Sequence, residues 1–170
     1  SGHFNEGEPQ YDEETGVIVP SEDAVWFDSV VFGTAISDTE LPVVSEDKLS
    51  LDLTYTTPTI DWKLNMTGVG LPAHVVAQRA LGIEDAQEAK DAVYDAIINS
   101  DTETLIKLAN VWNLDWDITE LPAEADANLL VGNGAYVITD FVADEFITLT
   151  AREDYKAGPA PSVETITVRW

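Results

Sequence analysis

Histidine is the side chain best suited to proton transfer near neutral pH and to holding zinc, and this chain has only two, His3 and His74. They lie too far apart in sequence to form a metal motif by spacing. His74 falls in the first turn of an expected helix, where an imidazole packs or bonds locally. Cysteine is absent, which removes disulfides, thiolate catalysis and thiolate metal sites together. Gly132-Asn133-Gly134 has the look of a phosphate-cradling loop, but the residues after it read as a strand, so no helix dipole would face an anion; it reads as a turn. With 32 Asp and Glu in the chain, no two carboxylates stand out as an acid and its base, because their separation is not written in sequence. Asn65-Met66-Thr67 is a formal glycosylation sequon of the kind that arises by chance. Trp26, Trp62, Trp112, Trp116 and Trp170 offer stacking surfaces; Trp26 and Trp112 are expected in the core, and Trp62, beside a Pro- and Gly-rich loop, partly exposed. No catalytic residue, metal site or cofactor is expected.

The charge balance narrows the partners. Against those 32 acids stand 8 Lys and Arg, a formal net charge of −24. A phosphate backbone is neutralised by clustered cations, so nucleic acid is excluded as an expectation, and an anionic membrane surface would repel the chain. No apolar run reaches the ~18 residues of a membrane span. An acidic surface of this kind is read first as solvation against aggregation, beside cation binding or a high-salt habitat. At 170 residues and 45% hydrophobic content the chain is long and apolar enough for a packed core. It begins with Ser1 and reaches Trp170 within an expected strand, so it is read as a piece of a longer protein.

The elements follow from periodicity and punctuation. Residues 1–21 are polar and aperiodic and read as loop. Ala24 to Val31 is β-branched and aromatic, as in a strand, and Leu49, Leu51, Leu53 and Tyr55 alternate with polar residues, which predicts a second strand with one buried and one wet face. Thr57-Pro58 ends it. Pro72 suits a first helical turn, and Ala73 to Leu81 continues to a stop at Gly82. A second helix over 84–99 has Ala86, Ala89, Val93, Ala96 and Ile97 on one stripe. Ser100-Asp101-Thr102-Glu103 matches a capping box opening a third helix, with Leu105, Leu108, Ala109 and Trp112 on its inner face. After an acidic stretch around Pro122, Ala135 to Phe141, Phe146 to Ala151 and Thr165 to Trp170 read as strands. The order of elements predicts an α+β, or mixed α/β, protein.

Residues 129–170, with GNGAYVITDF, EFITLTAREDYKAG and VETITVRW in order, resemble a segment of the family 5 extracellular solute-binding proteins, the dipeptide and oligopeptide binders of ABC importers. Ala135 stands where that pattern has proline, Ala151, Arg152 and Glu153 where it has Arg-Asn-Pro, and Lys156 where it has tryptophan. Upstream, Tyr55, Pro58, Asp61, Trp62, Pro72, Ala73, His74, Val75 and Val76 are similar to the family's strand, "Tyr-x-x-Pro", "Asp-Trp" and "Pro-Ala-His-Val-Val" series, most of all in its actinobacterial branch.

The resemblance implies a partial type II periplasmic-binding-protein fold. Residues 1–130 would form part of the small extra subdomain and 131–170 three strands of the first main lobe. It further implies a non-enzymatic, lipid-anchored extracellular protein that captures oligopeptides and delivers them to an ABC permease, with the carboxylate that receives the peptide's amino terminus outside this piece. The alternatives are a cell-surface interaction or adhesion domain, a binder of a non-peptide solute, or a hydrolase using His74. The family's cavity border is similar in position to SGHFN, which makes His3 and Phe4 the expected ligand-binding residues. Open sheet edges in such a piece are expected to pair with a second copy.

Overall fold

A computed structural model describes residues 5–28, 38–47, 49–60, 62–63 and 70–170. The described residues form an α+β chain divided into two compact units, Ser1–Leu114 and Asp115–Trp170.

Three helices build the centre of the first unit: α1 (Ala73–Leu81), α2 (Ala86–Ile98) and α3 (Thr102–Leu114). Pro72 precedes α1 with its carbonyl accepting from the Val75 and Val76 amides, and Gly82 closes it at φ 70°, a left-handed conformation that costs glycine nothing. Asp85 caps α2, its carboxylate accepting from the Gln87 and Glu88 amides. α1 packs against both other helices over a core of small side chains: Val75, Val76 and Ala77 of α1, Ala89 and Ala96 of α2, and Leu105, Leu108 and Ala109 of α3. Alanines seven residues apart on α2 share one face and let the backbones approach closely. Ala86, expected on that stripe, is exposed in the first turn instead.

The connection from α2 to α3 departs from the capping-box expectation. Ser100 is not the cap; it sits at φ 51°, and its amide donates to Ile97 O while the Asp101 amide donates to Ala96 O. These two bonds close α2 in a Schellman motif with serine in the position glycine usually takes. Asp101 then caps α3, accepting from the Thr104 amide at 3.2 Å and the Thr104 hydroxyl at 2.7 Å. One residue thus ends one helix and begins the next.

Of the expected strand over 24–31, residues 29–31 lie outside the described residues, and 24–28 contribute only an isolated bridge between Val25 and Glu6. The opening residues are more ordered than a plain loop: Tyr11 and Ile18 pair across a turn in which the Asp12 carboxylate accepts from the Glu14 and Thr15 amides and the Thr15 hydroxyl. The second expected strand shrinks to a ribbon, β1 (Val43–Val44) against β2 (Leu51–Asp52), extended by a bridge between Thr39 and Tyr55. Its expected buried face is wet, with Leu49 84% and Leu51 59% exposed. Alternation marks a strand's faces, but only a covering layer buries one.

The second unit is an antiparallel meander, β3 (Tyr136–Val142), β4 (Phe146–Ala151) and β5 (Thr165–Arg169), in that spatial order. A 3-10 helix, Glu124–Leu130, precedes it, with the Trp116 indole donating to Leu129 O at 3.1 Å.

Candidate functional site

His3 and Phe4, the expected ligand-binding pair, lie outside the described residues, as does Asp61. His74 is half-buried in the first turn of α1, and no described nucleophile or carboxylate bonds to it. Gly132-Asn133-Gly134 is an exposed bend leading into β3, and Gly132 O accepts from the Arg152 guanidinium at 2.9 Å. Trp62 is 47% exposed, with the Lys63 ammonium 5.4 Å from its ring centre. Trp26 and Trp112, expected in the core, are half-buried; Trp112 meets Phe27 edge-on at 6.0 Å and donates to Asp28 O.

Sequence reasoning missed a set of asparagines that grips an extended segment. Asn110 accepts from the Ser21 amide at 2.9 Å and donates to Ser21 O at 2.8 Å. One helical turn on, Asn113 accepts from the Asp28 amide and donates to Trp26 O. From the opposite sequence direction, Asn5 accepts from the Phe27 amide and donates to Phe27 O. A primary amide carries one acceptor and two donors in a plane, so it can imitate a neighbouring strand. Ser21, Trp26, Phe27 and Asp28 therefore bond backbone groups to side chains of α3 and Asn5, while Val25 O accepts from the Glu6 backbone amide. The i, i+3 spacing of Asn110 and Asn113 within the otherwise apolar C-terminal half of α3, Leu108 to Leu114, was the available signal.

In the second unit, chemistry is sorted by the two faces of the sheet. Ile138 pairs with Leu149, Asp140 with Thr148 and Phe141 with Ile147, so Thr139 is an extra residue bulged out of β3. Without that bulge Ile138 and Phe141, three apart, would point to opposite faces. With it, Ile138, Phe141, Ile147 and Leu149 share one face, continued by Ile166 and Val168 of β5. The other face is lined by threonine, with hydroxyl contacts Thr139 to Thr150 at 2.7 Å and Thr148 to Thr167 at 3.3 Å, and Arg169 stacked on Phe146 at 5.2 Å.

Beneath the apolar face is a hollow of about 150 Å³, walled by Ile118, Leu121, Pro122 and Leu130 on one side and by Ile138, Phe141 and Ile147 on the other. Its lining has no acid, base or nucleophile. It suits an apolar side chain, since water in such a space finds too few polar partners.

Among the described residues, β5 is one open edge of this sheet; the other edge, β3, has only an isolated bridge between Val142 and Glu120. The Ala151 amide donates to Glu164 O, which fixes the alternation of the β4–β5 ladder: Ile166 and Val168 face β4 with their backbone groups, and Thr165, Thr167 and Arg169 turn theirs outward. Every residue of β5 is exposed. Such an edge is a template for another extended chain.

The electrostatics belong to exposed turns. Hydrogen bonds from Thr15, Ser45 and Thr104 hold the carboxyls of Asp12, Asp47 and Asp101 below their ordinary value, and Arg152, which grips Asp154 at 3.1 and 3.3 Å, does the same for that residue. Glu103 raises Lys107, its partner at 2.8 Å one turn along α3. Each group pins a local turn or helix end. Among the described residues no cluster of three or more His, Cys, Asp or Glu could hold a metal ion, and no helix is long and apolar enough to cross a membrane.

Comparison with protein-family models, with curated proteins and with solved structures finds no match to this chain.

Proposed function

We propose that this chain is a non-catalytic part of an extracellular solute-binding lipoprotein, of the type that captures oligopeptides for an ABC permease. In this reading residues 1–130 belong to a small extra subdomain and 131–170 to strands of a main lobe, as a partial type II periplasmic-binding-protein fold.

The observation that carries the proposal is the meander of the second unit. The three stretches that resemble family 5, GNGAYVITDF, EFITLTAREDYKAG and VETITVRW, supply β3, β4 and β5 in order, and β5 ends the sheet with outward backbone groups. Capture of an extended peptide draws on strand-like backbone pairing with pockets for alternate side chains. The open strand offers the first kind of contact, and the hollow under β3 and β4 is an apolar pocket in the same unit.

The test is calorimetric titration of the longer protein, with this chain beside it, using a mixed peptide library and then single oligopeptides. Saturable binding by the longer protein is the expected result. No peptide binding by either would overturn the peptide reading and leave a non-peptide solute as the ligand.

A second reading has its own support. The exposed apolar side chains of the β1–β2 ribbon favour an interaction or adhesion domain, because surface leucines gathered on one projecting element mark contact sites more often than scattered ones do. The open β5 edge also fits a second copy of the chain, which makes a sheet-to-sheet dimer part of the proposal.

A further inference from the structure

The β1–β2 ribbon combines two features that rarely coexist on a solvated hairpin. Leu41 and Val43 on its first arm are 52% and 66% exposed, and Leu49 and Leu51 on its second are 84% and 59% exposed. Val43 pairs with Asp52 and Val44 with Leu51, so Val43 and Leu51 lie on opposite faces and both faces of the ribbon present apolar side chains to water. Around them stand Asp38, Glu40, Glu46, Asp47 and Asp52, all exposed, and the sequence of this stretch sets only Lys48 against them.

The turn that sets this display is pinned. The Asp47 carboxylate accepts from the Ser45 hydroxyl at 2.7 Å and the Leu49 amide at 3.1 Å, and the Ser45 hydroxyl accepts from the Ser50 amide at 2.9 Å. Leu49 is thereby held at the tip, at the start of an arm where Leu49, Leu51 and Leu53 alternate with Ser50 and Asp52.

We propose that this ribbon docks a cationic polypeptide, a segment that alternates apolar residues with lysine or arginine. Charge complementarity selects that occupant. The leucines favour an apolar counterpart, and the carboxylates that flank them, Glu40 beside Leu41 and Asp52 beside Leu51, favour positive charge next to it. A second copy brings a further −24 charges to the contact, and nucleic acid or an anionic membrane brings phosphate, so each is repelled. This proposal does not rest on the peptide-capture reading.

The experiment is fluorescence anisotropy of a labelled peptide alternating leucine with lysine, titrated with the whole chain at physiological ionic strength. Its leucine–glutamate counterpart serves as the control. Three proteins are compared: the native chain, Leu49→Ser/Leu51→Ser, and Val17→Ser/Ile98→Ser, which removes two exposed apolar side chains outside the ribbon and β5 without changing charge. Circular dichroism confirms that each variant is folded. Binding of the lysine peptide alone, weakened about tenfold or more by the ribbon variant and unchanged by the Val17/Ile98 variant, is the expected result. Equal affinity for all three proteins would assign the binding to net charge and overturn the proposal. Loss confined to the Val17/Ile98 variant, or no binding by the native chain, would overturn it as well.

Discussion

Asn110 holds Ser21 by both ends of its amide, accepting from the Ser21 N–H at 2.9 Å and donating to the Ser21 carbonyl at 2.8 Å across 89 residues of sequence. The contact is the same pair of bonds that a neighbouring strand would make, supplied by one side chain. Ser21 is buried, so its backbone groups have no water to fall back on.

Asn110→Ala leaves both groups of Ser21 unpaired and is expected to cost about 1–3 kcal/mol. Asn110→Asp keeps the acceptor and loses the donor, so it should fall between. Urea denaturation of the three proteins, followed by tryptophan fluorescence, gives the order directly; equal midpoints would mean that residues 21–28 are held by other contacts.

Ser100 occupies the left-handed region at φ 51°, where a Cβ is penalised and glycine is not. Ser100→Gly should therefore raise stability by about 0.5–1 kcal/mol, despite glycine's greater freedom in the unfolded chain. Thermal unfolding of the two proteins is the check. A lower melting temperature would show that the Schellman closure does not need that conformation.

How far the sequence carries can be judged from these same residues. Pro72 and Gly82 announce both ends of α1, because a missing N–H and a missing Cβ act locally and need no partner. β3 and β4 were legible because their β-branched and aromatic runs are bounded by turn residues. The ribbon was misjudged at Leu49 and Leu51, since alternation records which residues share a face and not whether anything covers it. Of the strand expected from Ala24, the described part keeps one backbone bridge, Val25 to Glu6, and Trp26, Phe27 and Asp28 bond asparagine side chains instead, which no periodicity reveals. Of the candidate site, His3 and Phe4 rested on resemblance alone, whereas the apolar hollow depends on the Thr139 bulge bringing Phe141 to the face of Ile138. The apolar spacing of three at Ile138 and Phe141, within an otherwise alternating strand, was its only trace.

Deleting Thr139 removes that extra residue and turns either Ile138 or Phe141 away from Ile147. The hollow would lose a wall, and one large apolar side chain would enter the threonine face. The expected outcome is loss of dispersed amide resonances for 136–151 in a heteronuclear NMR spectrum. A spectrum that keeps its dispersion would place the register shift elsewhere.

Asp101 carries a pH signature. The Thr104 hydroxyl, followed by its amide, holds the folded carboxyl below its ordinary value of 3.8. A depressed folded pKa contributes stability that is fully present above the unfolded value and is lost as pH falls through the folded one. Asparagine at this position would remain a competent cap but cannot titrate. The stability difference between the native chain and Asp101→Asn should thus be constant above about pH 5 and shrink below 3.8. Denaturation midpoints measured across that range decide it, and a difference that does not change with pH would remove the carboxylate from the cap.

The open edge of β5 yields the last prediction. Thr165, Thr167 and Arg169 direct their backbone groups outward, and a two-fold pairing centred on Thr167 would set Ile166 opposite Val168 of a second copy on one face and Thr167 opposite itself on the other. The apolar face and the threonine row would both continue across the join. Against this stand −24 charges on each copy, screened over roughly 10 Å at 0.1 M salt and roughly 3 Å at 1 M. Light scattering after size exclusion should then show monomer at low salt and dimer at high salt. Thr167→Pro deletes an outward N–H while leaving the β4 ladder its bonds, so it should remain monomeric under both conditions. A native chain that is monomeric at every salt concentration would mean the edge is closed by other means, and a dimer that tolerates proline would place the contact elsewhere.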